Sequence, residues 1–100
     1  MIKRVSFLRR KEGLTQEEFF AHWTGTHADI VRQLPGVLGL RFGRVQRWTP
    51  EDAAWDGFGE LWFDSIHEAV NDCATARLKD CLGEDRKHFT LEVQTFFYHA

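Results

Sequence analysis

FGELWFD, Phe58–Asp64, is a short run of aromatic and aliphatic residues that reads as a β-strand. Successive side chains of a strand point to opposite faces, so Leu61 and Phe63 share one face while Phe58, Glu60 and Trp62 share the other. A sheet with one wet face should alternate apolar and polar residues. This strand does not. Its second face carries two aromatic rings around a carboxylate, which is odd for open surface and reasonable for the lining of a cavity, such as a second copy of the sheet packed face to face would create.

Working outward, the neighbouring segments complete a βαββαβ order. Ile2–Leu8 is a β-branched and aromatic run that reads as a strand, followed by the charged turn RRKEG. Thr15 stands three before Glu18, a capping-box spacing that starts a helix carrying Phe19, Phe20 and Trp23. Thr24, Gly25 and Thr26 interrupt it, and Thr26, three before Asp29, restarts it as far as Leu34, where Pro35 and Gly36 stop it. Val37–Trp48 reads as a second strand, in which Gly39 and Gly43 suggest bends or a close backbone approach. TPEDAAWDG, residues 49–57, reads as a loop. Beyond the opening strand, Ser65 to Leu82 reads as a helix with Ile66, Ala69, Val70, Cys73 and Ala76 on one side, and Gly83 closes it. His88–Tyr98 is the last strand, and its second face again mixes Glu92 and Gln94 with Phe96 and Tyr98. The fold class is therefore α+β, a ferredoxin-like arrangement with an antiparallel four-stranded sheet.

One hundred residues fit a single domain spanning 1–100, too small for a second core. Fourteen aromatic residues in so short a chain favour burial at an interface or in a ligand pocket. The net charge of -2 and scattered Lys and Arg give no electrostatic footprint for nucleic acid. The first residues are too charged for a signal peptide or a membrane span, so a cytoplasmic protein is expected, with no membrane partner. Cys73 and Cys81, eight apart on a helix and hence about 12 Å apart, are too distant for a disulfide and read as reduced, buried small residues.

Two histidines invite a metal, but His22 and His27 are five apart and on a regular α-helix point about 140° away from each other. No cluster with ligand spacing accompanies them, so no metal and no other cofactor is expected. His27 instead joins Phe19, Trp23, Ile30 or Val31, and Leu34 in one stripe, whereas His22 falls outside it and reads as a surface residue. A histidine on a buried stripe serves either as a hydrogen-bonded core residue or as a general acid or base beside an apolar pocket, because its pKa lies near neutrality. Glu60, flanked by Phe58 and Trp62, needs a cation; Arg4 or Arg41 is within reach in the strand order 4-1-3-2. Ser6 and Tyr98 offer hydrogen bonds on candidate cavity faces, His88 starts the last strand, and His67 and His99 read as surface residues.

FFAHWTGTHADIVRQLPG, with Trp23 and His27 four apart and a Leu-Pro-Gly stop, together with DGFGELWFDS, resembles the EthD-like branch of the dimeric α/β-barrel superfamily. The resemblance implies a homodimer whose two sheets pack into a barrel. It assigns the histidine of a Trp-x-x-x-His motif to His27, and a Glu-x-Trp-Phe motif to Glu60, Trp62 and Phe63. The superfamily includes proteins linked to ether degradation, muconolactone methylisomerases, polyketide cyclases, cofactor-free monooxygenases, haem-degrading enzymes and stress proteins. The methylisomerases tend to carry Cys where this chain has Leu61. The expected function is a cofactor-independent isomerase, cyclase or lyase for a small aromatic, lactone or polyketide-like compound. His27 and Glu60 would be catalytic, and Trp23, Arg41, Phe58, Trp62, Ser6 and Tyr98 would bind substrate. The alternatives are a non-catalytic binder of a hydrophobic ligand and a cofactor-free monooxygenase.

Overall fold

The computed structural model describes residues 1–46 and 55–99. Strands β1 (Ile2–Arg10), β2 (Gly39–Arg44), β3 (Gly57–Phe63) and β4 (Thr90–His99) form one antiparallel sheet in the order β2-β3-β1-β4. Helices α1 (Gln16–His22) and α2 (Ala28–Val31) follow β1, and α3 (Ile66–Ala69) and α4 (Ala76–Phe89) follow β3. The ferredoxin-like order expected from the sequence is the order found. Much of the Thr49–Gly57 loop and the end of the second expected strand lie outside the described residues.

Register fixes the two faces of the sheet. Ile2 pairs with Phe63 and Leu8 with Gly57, so Ile2, Arg4, Ser6 and Leu8 share a face with Phe63, Leu61, Gly59 and Gly57. This face packs on the helices: Ile2 and Phe63 cluster with Val31, Leu34, Ala69 and Leu82, and Leu8 with Phe19, Phe20, Trp23 and Phe89. Lys3, Val5, Phe7, Phe58, Glu60 and Trp62 lie on the other face, and the β4 register adds Phe96 and Tyr98 to it. That face mixes aromatic side chains with the Lys3 and Glu60 charges, and among the described residues no helix packs on it. Phe96 is 49% and Tyr98 46% exposed.

The first helix starts as its capping box predicts, with Thr15 Oγ1 accepting from Glu18 N and the Glu18 carboxylate accepting from Thr15 N. It does not break at Thr24-Gly25-Thr26. Trp23–His27 is a π-helical turn that keeps right-handed helical backbone and joins α1 to α2 without an end, and no side chain caps α2. The physical cause is local. Thr24 Oγ1 donates to the Phe20 carbonyl at 2.7 Å, competing for an acceptor of the α ladder, and the Ala28 N–H reaches back five residues to Trp23 O.

The second helical segment is not continuous either. Ser65 caps α3 as expected, but Asn71 takes φ +65° and breaks the run, and Thr75 caps a new helix, α4. Asn is among the few residues that adopt this left-handed conformation at low cost. Gly83 does not close α4, which continues to Phe89 and takes His88 into its last turn. Stacked i,i+4 bonds on both sides of Gly83 outweigh one glycine, whose helix penalty is only about 1 kcal/mol. Cys73 and Cys81 are exposed rather than buried. Gly39 and Gly43 have ordinary neighbours 3.6 and 3.8 Å from where a Cβ would stand; the close approach is at Gly57 and Gly59 instead.

Candidate functional site

A cavity of about 390 Å³ lies between the helices and the helix-facing side of the sheet, a size suited to a small organic molecule. Trp23 and His27 line it from the helix side, Phe42 and Leu61 from the sheet, and Leu82 and Phe89 from α4. Phe97 and Val70, 42% and 40% exposed, mark its open side. Trp23 is only 4% exposed. Its indole fits over the sheet because Gly57 and Gly59 have no side chains: a Cβ on Gly59 would stand 2.9 Å from Trp23 Cζ2, and one on Gly57 would collide with Cζ3. The ring meets Phe42 edge-on at 4.9 Å.

His27, on the buried stripe as expected, is 9% exposed. Its Nδ1 lies 2.8 Å from Asp85 Oδ2 on α4. His22 Nε2 lies 2.9 Å from Oδ1 and 3.0 Å from Oδ2 of the same carboxylate. His22 is thus not a free surface residue. On an α-helix five residues carry a side chain past the original face, whereas the wider π turn brings residues five apart back onto one side. A carboxylate only accepts, so Nδ1 of His27 donates to it and Nε2 becomes the lone-pair nitrogen of the neutral ring. Burial lowers the pKa of His27 below 6.5; hydrogen bonding and attraction from Asp85 oppose this, while Arg86 and His22 reinforce it. The ring is accordingly neutral at pH 7, the form a general base requires. Phe89 packs against both imidazoles, each centroid 4.9 Å away.

The structure separates the other expected site residues into two groups. Ser6 lines the cavity and shares a hydrogen bond with Thr95 Oγ1 at 3.0 Å. Glu60 and Arg41 border the cavity, yet strand alternation turns their charged ends to the opposite face. There Glu60 pairs at 2.9 Å with Lys3, rather than with Arg4 or Arg41, since Lys3 shares its face and Arg4 does not. Arg41 and Lys3 stack on Trp62, 5.7 and 4.9 Å from its ring centroid, and Lys3 also stands over Tyr98. Phe58 meets Phe7 at 5.2 Å on the same face. Hence Trp23, His27 and Ser6 come together, while Glu60, Phe58, Trp62 and Tyr98 form a separate assembly.

Asp85, Arg86 and Asn71 belong to the cavity region but were not singled out by sequence. The pattern Leu82-Asp85-Arg86-Phe89, at helical spacing, is the signal for Asp85 and Arg86; Asn71 has none. Ending the helix at Gly83 hides it. Among the described residues no group of three or more His, Cys, Asp or Glu is arranged to hold a metal ion, and no helix is long and apolar enough to cross a membrane.

The EthD domain model matches residues 11–91. The chain belongs to the EthD domain family. An EthD family protein of Bacillus halodurans is 19% identical with a TM-score of 0.76, the alignment covering 100% of this chain and 98% of that one. A dimeric protein of unknown function with a ferredoxin-like fold from Bacteroides fragilis is 13% identical at TM-score 0.66, with 99% and 95% covered. SnoaB, a cofactor-independent oxygenase from Streptomyces nogalater, is 10% identical at TM-score 0.70, with 99% and 91% covered. At these identities the solved structures share the fold with this EthD domain. No curated protein matches its sequence at a significant level.

Proposed function

We propose that this EthD domain is a homodimeric, cofactor-independent enzyme acting on a small aromatic, lactone or polyketide-like compound in the cavity beside Trp23 and His27. The observation that carries the reading is the Asp85–His27 hydrogen bond at the wall of that cavity. A buried, neutral imidazole whose Nδ1 is held by a carboxylate offers Nε2 to take a proton from a carbon acid or phenol and return it elsewhere on the product. That is the chemistry of an isomerisation, a cyclisation or an elimination. Trp23, Phe42 and Leu61 hold the apolar body, and Ser6 with Thr95 offers hydroxyls to a substrate oxygen.

The Lys3–Glu60 pair, turned to the other face, is proposed to order the sheet where a second copy packs on it. Solved structures of the same fold that are described as dimeric support a homodimer.

The test is turnover of phenolic, lactone and polyketide-like compounds, with oxygen uptake followed in parallel. Loss of about 10²–10⁴-fold in kcat for His27→Ala, with little change for Glu60→Gln, is expected. Unchanged turnover in His27→Ala sinks the mechanism. Oxygen consumption matched to product would support the oxygenase reading, which the likeness to SnoaB brings into view. Saturable binding with the ligand recovered unaltered would support a binding protein instead.

A further inference from the structure

Two guanidinium groups reach the cavity of the proposed active site without a carboxylate partner among the described residues. Arg4 projects from the middle of β1 on the helix-facing side of the sheet, and Arg86 projects from α4. Arg4 Nη1 donates to the Ala69 carbonyl and to Asn71 Oδ1, both at 2.9 Å, and the guanidinium lies over the Phe63 ring at 5.4 Å. Every one of these partners is neutral. Among the described residues, no carboxylate lies within ion-pairing distance of Arg4 or Arg86. Asp85, the acid next to Arg86 in sequence, is committed to His22 and His27, and Glu60 to Lys3.

Arg4 is half-buried and Arg86 exposed, and a cation partly withdrawn from water without a counterion is costly. Desolvation, with the positive charge of Arg86 added, pushes Arg4 down to about 10. Yet the fold invests in holding Arg4 there: Asn71 adopts its left-handed conformation at the point where its side-chain oxygen meets Arg4. A guanidinium presents up to five N–H groups, and the two contacts of Arg4 both use Nη1, leaving donors for a ligand. Trp23, Phe42, Phe89 and Leu82 supply the apolar and aromatic part of the wall, beside the polar groups of His27, Ser6 and Thr95.

We propose that the cavity takes an aromatic ligand bearing an anionic oxygen group, a carboxylate or an ionised phenol, with the anion between Arg4 and Arg86 and the ring against Trp23 and Phe89. The inference rests on the cavity being the binding site and adds the charge of its ligand. Arg4 and Arg86 then supply to the bound anion the counter-charge that each lacks in the free protein, and Asn71 is the positioning residue for Arg4. An oxyanion formed during proton transfer to His27 would be stabilised by the same two groups.

The experiment compares 2-naphthoate with its neutral isostere 2-naphthamide by calorimetry at low and moderate salt. About a tenfold preference for the anion, shrinking with salt, is expected from charge-assisted hydrogen bonds. Arg86→Gln should abolish the preference by weakening 2-naphthoate about tenfold more than 2-naphthamide. Arg4→Lys, which keeps the charge and loses the planar fork, should weaken 2-naphthoate selectively. Val70→Trp, which fills the open side, should remove both ligands and so locates them. Equal binding of the two probes, both blocked by Val70→Trp, overturns the charge assignment and leaves the cavity as the site. Persistence of the anion preference in Arg86→Gln and Arg4→Lys together overturns it as well. Binding of neither probe, or binding insensitive to Val70→Trp, overturns the cavity reading along with this inference.

Discussion

His22 and His27, five residues apart, hold the same Asp85 carboxylate at 2.9 and 2.8 Å. The π turn between them makes this possible, and the shared acid fixes which nitrogen of His27 carries hydrogen. Asp85→Asn keeps the size of the side chain but allows its amide to donate to Nδ1, which favours the wrong tautomer. If His27 is the base, kcat should fall at least about 10²-fold with KM little changed, because the defect lies in proton transfer. NMR titration should show His27 with a pKa lower still than in the wild type, since Asp85 is the group that raises it. A merely structural Asp85 would move stability and the His27 titration without moving kcat.

The lowered pKa of His27 has a consequence for stability. Its folded-state value lies below 6.5, so under acid conditions the unfolded chain binds a proton more readily than the folded one. The contribution to stability is therefore complete above pH 6.5 and declines as pH falls through 6.5 toward the folded-state value. Thermal unfolding between pH 7.5 and 5 should show Tm falling over that window, and His27→Gln should flatten this part of the curve. A Tm that rises as pH falls from 6.5 would contradict the burial-dominated environment of the ring.

The sequence made the sheet legible because strand alternation is short-ranged: Leu61 and Phe63 against Phe58, Glu60 and Trp62 could be sorted without knowing any partner. The same logic found the stripe Phe19, Trp23, His27, Ile30 or Val31, and Leu34, in which Val31 is the buried member. It failed where a hydrogen-bond ladder changes period. Regular α geometry separates His22 from His27, and the local competition of Thr24 Oγ1 for Phe20 O, which hydropathy spacing does not register, goes with the π turn that brings them together. Asp85 stayed hidden for a related reason: Gly83 reads as a stop, but the packing of Leu82 and Phe89 carries the helix through it. Parity alone also places Glu60 away from His27; what joined them at the level of sequence was the assumption that the cavity lies between sheets rather than between sheet and helices.

Two glycines near Trp23 should respond with opposite sign. Gly59→Ala introduces a Cβ 2.9 Å from Trp23 Cζ2 in a tightly packed site, so the indole must shift toward the cavity. A loss of about 1–3 kcal/mol is expected from overpacking, with weaker ligand binding. Gly25, inside the π turn, has a helical backbone, and a methyl group added there would meet nothing within 4 Å. Gly25→Ala should stabilise by up to about 1 kcal/mol through helix propensity. Urea unfolding with tryptophan emission measures both; a neutral Gly59→Ala would mean that Trp23 is not held by the glycine groove.

The helix-free sheet face sets the last prediction. Val5, Phe7, Phe58, Trp62, Phe96 and Tyr98 lie on it, with charge supplied by the Lys3–Glu60 pair on the two central strands and by Arg41 on the edge strand β2. An aromatic-rich sheet face left open invites association, and a second copy offers the complementary surface by symmetry. Phe96→Glu adds a charge that must be desolvated in such an interface but is tolerated in water, where Phe96 is 49% exposed. Sedimentation should therefore show a dimer for the wild type and a folded monomer for Phe96→Glu at micromolar concentration. Val70→Glu, at the open side of the cavity on the other side of the sheet, should leave the dimer intact. A wild-type monomer, or a Phe96→Glu variant that stays dimeric, would mean that the two sheets do not pack face to face.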